Sequence, residues 1–325
     1  MADNVKVDNY MESEDILLDV RNLCQHFKSG VGRKRIVVKA VDDVSFKIPR
    51  GKTFGLVGES GCGKTTTGRT IIRLYKATSG EVIFEGKDIA GKLTADERRE
   101  VTRGIQMIFQ DPISSLNPRM TIQEIIGEGL IINKVCKNDE EVREVCLKMI
   151  RTVGLADDHL TRYPHEFSGG QRQRIGIART LATNPKLIIA DEPISALDVS
   201  IQAQVLNLLN DLKKEMGLTI LFIAHDLSVV KYFSDYIGVM YMGHLVEQGT
   251  PEEIYGNPIH PYTKALLSAI PEPDPYFEKW RDFVVYDPSV HDYSVNKPSM
   301  HLIEGTHSVY LSEPELEMYV NKKGE

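Results

Sequence analysis

The chain has 325 residues, 42% of them hydrophobic and 26% charged, with a formal net charge of −7 and a sequence pI of about 5.8. That length buries a large core and leaves room for more than one structural unit. The acidic balance argues against a nucleic-acid partner held through phosphate contacts, since such surfaces are usually basic. No run approaches the about 20 apolar residues of a spanning helix, and the polar, acidic first residues show no signal-peptide pattern. Cys24, Cys62, Cys136 and Cys146 are scattered and form no C-x-x-C pair. The expectation is a chain on the cytosolic side, with reduced thiols and neither a zinc site nor a disulfide framework.

Residues 1–14 read as a mobile tail, and Ile16 to Val20 as a strand. Cys24-Gln25-His26-Phe27 follows, and the basic, glycine-containing stretch Lys28 to Arg35 reads as a loop. Ile36 to Ala40 and Val44 to Ile48 read as antiparallel strands, closed by a turn at Pro49-Arg50-Gly51. Phe27 lies upstream of a G-x-x-x-x-G-K-[ST] phosphate-loop pattern at 58–65, so it is either a ring that stacks on a nucleotide base or a core phenylalanine, and its residue type fits both.

Thr53 to Val57 is short, apolar and β-prone, and Thr66 to Leu74 reads as helix. Between them stands Gly58-Glu59-Ser60-Gly61-Cys62-Gly63-Lys64-Thr65, a full G-x-x-x-x-G-K-[ST] match in the strand–loop–helix context that the motif needs. Glycine reaches positive φ without steric cost, so backbone N–H groups turn inward around a phosphate chain. The helix N-terminus adds unpaired N–H groups and a positive dipole end. Lys64 then bridges the β- and γ-phosphates, and Thr65 ligates Mg²⁺.

Glu81 to Phe84 and the Gly86 turn give another short strand pair, and Leu93 to Gly104 a loop plus helix. Ile105 to Phe109 is a buried-strand candidate ending at Gln110, whose amide could reach a metal or an attacking water. Thr121-Ile122-Gln123-Glu124 is a capping box. Asp139 to Val153 places Val142, Val145, Met149, Ile150 and Val153 on one helical face. Residues 112–168 read as an inserted helical subdomain.

Phe167-Ser168-Gly169-Gly170-Gln171 precedes a helix from Arg172 to Thr183 and offers a second anion-binding backbone nest. Leu187 to Ala190 suits a strand buried on both faces. It ends in Asp191, placed to hold Mg²⁺ through water, and Glu192, placed to orient or deprotonate an attacking water. Ser195-Ala196-Leu197-Asp198 leads into a helix whose apolar face runs from Ile201 to Met216, closed by Gly217. Thr219 to Ile223 is a further buried strand, ending at Ala224-His225, and ligands in open α/β sheets sit outside such strand ends. Tyr236 to Met242 and His244 to Glu247 flank Gly243 as a hairpin, and Pro251 to Tyr255 starts a short helix. From Gly256 onward prolines, tyrosines and the only tryptophan, Trp280, replace periodicity, so 256–325 reads as a C-terminal extension packed partly on the core.

Together these motifs resemble the nucleotide-binding subunits of ABC transporters. The order is that family's: Walker A at 58–65, Q-loop Gln110, signature 167–171, Walker B 187–191, catalytic Glu192, D-loop 195–198 and switch His225. Phe167 stands where the signature usually has Leu. His260-Pro261-Tyr262-Thr263-Lys264-Ala265-Leu266-Leu267-Ser268-Ala269-Ile270-Pro271 is similar to the C-terminal region of oligopeptide, dipeptide and nickel importers. Tyr286-Asp287-Pro288, His291-Asp292-Tyr293-Ser294 and Pro298 resemble the tail of the second, F-type oligopeptide permease ATPases of Gram-positive bacteria.

The resemblance implies an α/β P-loop NTPase (RecA-like) core with an antiparallel β subdomain. The ATPase domain would span 15–255, with 112–168 as its helical subdomain and 256–325 as the extension. It implies an ATPase of oligopeptide import, or of nickel or another small solute; soluble ABC ATPases of repair or translation usually carry features absent from this sequence. ATP lies on Walker A, with Mg²⁺ on Thr65, Gln110 and, through water, Asp191. Glu192 is then the base and His225 a γ-phosphate contact. Ser168, Gly169, Gly170 and Gln171 would serve the ATP of a related partner ATPase, and Asp198 belongs to the D-loop. Two transmembrane permease subunits, and indirectly an extracytoplasmic peptide-binding protein, complete the implied assembly at the cytoplasmic face of a bacterial membrane. Many relatives carry a C-terminal four-cysteine iron–sulfur cluster; no cysteine follows Cys146 here, so no cluster is expected.

Overall fold

The computed structural model describes residues 14–30, 36–111, 114–270 and 284–323. The tail over 1–13, the 31–35 part of the basic loop and Trp280 lie outside the described residues.

Two long strands open the chain, β1 (Ile16–Ser29) and β2 (Ile36–Pro49), paired antiparallel. The shorter strands expected here are continuous. Cys24 to Phe27 belongs to β1, and Ile36–Ala40 and Val44–Ile48 are one strand rather than two that pair with each other. Register shifts around Leu23, with Asn22 at φ 47° and Asp43 at φ 60°, absorb bends that residue alternation alone reads as breaks. β3 (Thr53–Val57) runs into the glycine loop, and α1 (Lys64–Ile71) follows it. β4 (Ser79–Phe84) and β5 (Lys87–Asp88) complete a four-stranded sheet in the order β2-β1-β4-β5.

α2 (Ala95–Gly104) leads to β6 (Ile105–Ile108). α3 (Ile122–Ile132) and α4 (Asp139–Thr152) then leave the sheet. The Thr121–Glu124 capping box opens α3 as its residues dictate. α5 (Gly169–Ala182) begins three residues before the expected Arg172, because the Ser168 hydroxyl caps it by accepting the Gln171 N–H. The signature glycines are therefore its first turn.

β7 (Leu187–Asp191), α6 (Val199–Met216), β8 (Thr219–Ile223) and α7 (Leu227–Phe233) follow in alternation. Gly217, left-handed at φ 64°, ends α6 as a C-cap. β9 (Tyr236–Tyr241) and β10 (His244–Gly249) form the expected hairpin, with positive φ at both Met242 and Gly243. α8 (Pro251–Gly256) and α9 (Pro261–Ser268) open the C-terminal part. β11 (Ser299–Glu304), β12 (His307–Leu311) and a last helix, Glu313–Lys323, close it.

The second sheet has eight strands in the order β11-β12-β10-β9-β3-β8-β7-β6. β9, β3, β8, β7 and β6 are parallel. Their central members β3, β7 and β8 are buried throughout, which is why they read as unbroken apolar runs. The C-terminal stretch does more than pack on the core. Its hairpin extends the sheet, with Glu247 opposite Val309 and Gln248 opposite Ser308. β11 is partly exposed along its length, so no apolar alternation announces it.

Glu247 fastens this addition. It is fully buried on β10, and its carboxylate accepts the Ile259 N–H at 2.8 Å and the His260 N–H at 3.1 Å. His307 Nε2 on β12 lies 2.7 Å from the same carboxylate. Removing one partner of a buried charged contact leaves the other uncompensated, at about 3 kcal/mol. His307→Ala should therefore destabilise the extension by about 3 kcal/mol, read as faster hydrogen exchange across 299–311 and a lower urea midpoint. His307→Gln, which keeps a donor, should recover part of the loss.

Candidate ATP site

The carboxyl ends of β3, β6, β7 and β8 meet along one edge of the parallel sheet, the place where open α/β sheets bind ligands. Each strand leads into candidate residues there: β3 into the glycine loop, β6 into Gln110, β7 into Asp191 and Glu192, β8 into His225. A cavity of about 420 Å³ is lined by Ser60, Gly61, Gly63, Lys64, Thr65 and Thr66 of the loop. Gln110, Glu192 and His225 line its other wall, with Ala40 from β2.

The loop is shaped by close contacts behind it as well as by its own glycines. Gly58 has φ 149° and Gly63 φ 114°. A Cβ at Gly58 would stand 2.2 Å from the Met240 carbonyl oxygen, and one at Gly63 would stand 2.2 Å from that of Ala40. Lys64 is buried, and its ammonium donates to the carbonyls of Gly58 at 2.7 Å and Glu59 at 2.9 Å. Its third N–H faces only the Cys62 sulfur, at 3.7 Å, and remains available for an anion. Burial pushes the Cys62 thiol up, so it stays a neutral part of the packing.

Asp191 is fully buried at the end of β7. The Thr65 hydroxyl donates to Oδ1 at 2.7 Å, while Oδ2 has no hydrogen bond among the described residues and lies 3.8 Å from the Arg69 guanidinium. Burial raises the carboxyl above its ordinary value, partly opposed by the Thr65 hydrogen bond and Arg69. A buried carboxylate oxygen without a partner, beside a threonine hydroxyl at a helix N-terminus, suits a hard divalent cation and its waters. ATP and Mg²⁺ thus fit the residues present.

Glu192 sits at φ 45°, a strained value for a residue with a side chain, and its N–H donates to the Ile223 carbonyl at 2.9 Å. That turn aims the carboxylate into the cavity instead of along the strand. Gln110 Nε2 donates to Glu192 Oε2 at 2.9 Å, and His225 Nδ1 is 3.5 Å from the same oxygen. The amide oxygen of Gln110 keeps its acceptor capacity for a cation. A carboxylate held by an amide on one side and an imidazole on the other can take a proton from water and keep its direction.

Ser168, Gly169, Gly170 and Gln171 do not line this cavity, nor does Asp198. Ser168 and Gly169 are exposed, and a Cβ on Gly170 would meet Ile201 Cγ2 at 2.6 Å, so this turn is packed against α6. Asp198 is exposed at the start of α6 and makes no capping bond. Phe27 is 36% exposed and stands edge-on to Tyr75 with ring centres 5.2 Å apart, so it is not a core phenylalanine. Three neighbours carry no motif: Ala40, Arg69, and Tyr262 of α9, whose hydroxyl accepts the Glu59 N–H at 3.0 Å. Only Tyr262 lies in a stretch whose resemblance singles it out. All four cysteines are free. Cys24, His26 and Asp42 bring ligand atoms within 4.8 Å of one another, but Asp42 is already bonded by Lys39 and His26 at 2.9 Å each.

Fold and site define a nucleoside-triphosphate-hydrolysing cassette. Residues 41–195 match the family model described as ABC transporter, and 246–294 match Oligopeptide/dipeptide transporter, C-terminal region. The chain is 62% identical to the oligopeptide transport ATP-binding protein OppF of Bacillus subtilis (strain 168), over 85% of this chain and 89% of that one. It is 55% identical to the oligopeptide transport ATP-binding protein AmiF of Streptococcus pneumoniae, over 93% and 97%. A dimeric, post-hydrolysis structure of the ATP-binding cassette MJ0796 with ADP and Pi superposes with a TM-score of 0.64 at 30% identity, over 72% of this chain and 98% of that one. The chain belongs to the family of oligopeptide/dipeptide ABC transporter ATP-binding proteins.

The buried Asp191 carboxylate gives a clear sign. Its folded-state value lies above its unfolded one, so its charge disfavours the nucleotide-free fold as pH rises through that folded value. Asp191→Asn keeps the acceptor for Thr65 and removes the charge. At neutral pH it should raise the thermal midpoint of the nucleotide-free protein, by an amount equivalent to about 1 kcal/mol. The same variant should lose Mg²⁺-dependent nucleotide tightening in a binding titration.

Proposed function

We infer that this chain is the ATP-hydrolysing subunit that powers import of oligopeptides through an ABC transporter. The observation that carries this reading is near full-length similarity, at 54–62% identity, to proteins named for oligopeptide or dipeptide transport, joined to a complete phosphate site. In this reading 15–255 is the ATPase domain, 112–168 is the subdomain that transmits motion to two permease subunits, and 256–325 is the extension. No helix among the described residues is long and apolar enough to cross a membrane, and in this reading the two permease subunits supply the translocation path. The subunit then works at the cytoplasmic face of the membrane, with an extracytoplasmic peptide-binding protein delivering cargo and no nucleic acid involved.

Lys64 and the amides of 58–66 hold the phosphates, Thr65, Gln110 and Asp191 the Mg²⁺, and His225 the γ-phosphate. Phe27, 36% exposed, is the ring that stacks on the base. When bound, Mg²⁺ neutralises phosphate charge. Glu192 accepts the proton of the attacking water. Ser168 to Gln171 act on the nucleotide of a second, related ATPase chain; that they and the D-loop Asp198 lie outside this cavity, with Ser168, Gly169 and Asp198 exposed, supports this reading. With no cysteine after Cys146, the extension holds no iron–sulfur cluster.

Glu192→Gln keeps the hydrogen bond to Gln110 and removes the base. It should retain ATP binding while turnover falls about 10²–10⁴-fold in a phosphate-release assay; near-normal turnover would reject Glu192. Lys64→Ala should weaken ATP binding by the isolated chain by about 2 kcal/mol, the worth of a charge-assisted hydrogen bond. Ser168→Arg should spare that binding, yet abolish ATPase activity and labelled-oligopeptide uptake in the complex reconstituted with both permeases. Equal loss of binding in both variants would place the signature in the same chain's site. Uptake of labelled nickel but not peptide would overturn the substrate assignment, and stoichiometric iron in anaerobically purified protein would overturn the cluster-free extension.

A further inference from the structure

The peptide unit between Gly58 and Glu59 is held from both sides. Its carbonyl accepts the Lys64 ammonium at 2.7 Å, and its N–H donates to the Tyr262 hydroxyl at 3.0 Å. Tyr262 is 1% exposed, and its ring packs at 4.4 Å from Tyr241 and 5.5 Å from Tyr286. It cannot swing away without emptying part of the core. Its backbone is fixed as well. The Tyr262 N–H donates to His260 Nδ1 at 3.1 Å, and the His260 N–H donates to buried Glu247 on β10. Burial holds the His260 imidazole down at about 3, so it stays neutral and keeps this acceptor through the physiological range.

We propose that Tyr262 is a positioning residue of the ATP site, through which the C-terminal extension sets the conformation of the phosphate loop. A hydrogen-bonded chain that begins at a cation polarises each link, so Lys64, the 58–59 peptide and Tyr262 support one another. Without the hydroxyl, the Glu59 N–H has no acceptor, the peptide plane turns, and its carbonyl moves off Lys64. The loop must then be reordered whenever nucleotide binds, and affinity falls by the cost of that reordering. Linkage makes the effect reciprocal, so nucleotide on the loop must also tighten α9. This role goes beyond the transport reading and rests only on nucleotide binding by the loop, so the test uses no peptide and no permease.

Tyr262→Phe in the full chain keeps the ring and deletes only the acceptor. Calorimetric titration with Mg²⁺-ADP should show affinity about five- to tenfold weaker, the range for one lost hydrogen bond, with the nucleotide-free thermal midpoint almost unchanged. Tyr286→Phe, which leaves the Tyr262 hydroxyl in place, should bind ADP as the wild type does. By hydrogen exchange with mass detection, the loop peptide covering 55–65 should exchange faster in Tyr262→Phe. In the wild type, saturating ADP should slow exchange across 259–268. Unchanged ADP affinity in Tyr262→Phe would overturn the proposal, and so would wild-type exchange at 259–268 that ignores ADP. The wild-type measurement decides the matter even if the variant does not fold.

Discussion

A carboxylate removed from water organises this molecule. Asp191 ends a strand buried on both faces, and among the described residues the one hydrogen bond its carboxylate receives comes from Thr65. That bond joins the start of α1 to the end of β7 and so fixes the glycine loop against the sheet. The arrangement carries a standing cost, because a buried charge with one unsatisfied oxygen is unfavourable until a cation arrives. Stability is lower at the point where the ligand contributes most. The strained backbone of the adjacent Glu192 belongs to the same pattern, in which the surrounding sheet imposes a geometry the residue would not choose.

The parallel strands make this possible. In a parallel sheet all carboxyl ends lie on one edge, so residues as distant in sequence as Lys64, Gln110, Glu192 and His225 reach one cavity. A single residue, Glu192, then takes contacts from two of those strand ends, Gln110 and His225. The Ser168 turn is outside this convergence because α5 lies at the end of the helical segment that leaves the sheet after β6.

The far side of the loop faces the C-terminal extension. β12 continues the sheet from β10, Glu247 holds residues 259 and 260, and Tyr262 meets the loop. The rings of Tyr241, Tyr262, Tyr286 and His291 fill the space between them. The extension is thus continuous with the nucleotide-binding sheet.

The sequence by itself determined what depends on local chemistry. The glycine loop, the apolar runs at 187–190 and 219–223, the Thr121 capping box and Gly217 as a stop signal each follow from short-range sterics and hydrogen bonding, and the structure has each of them. Other features depend on partners far away in the chain. Bulges around Leu23 made two long strands look like several short ones, since register is set by the neighbouring strand. The half-exposed β11 carries no alternation to read, and its place is fixed by pairing with β12 and through it with β10. Phe27 could be a core ring or a base-stacking one by residue type, and only its place in β1 beside Tyr75, 36% exposed, took it out of the core. Tyr262 joined the loop only when segments 203 positions apart were folded together, bringing one hydroxyl to one peptide N–H. Tertiary structure decided these because a hydrogen bond or packed ring between distant segments leaves no periodic trace in either one.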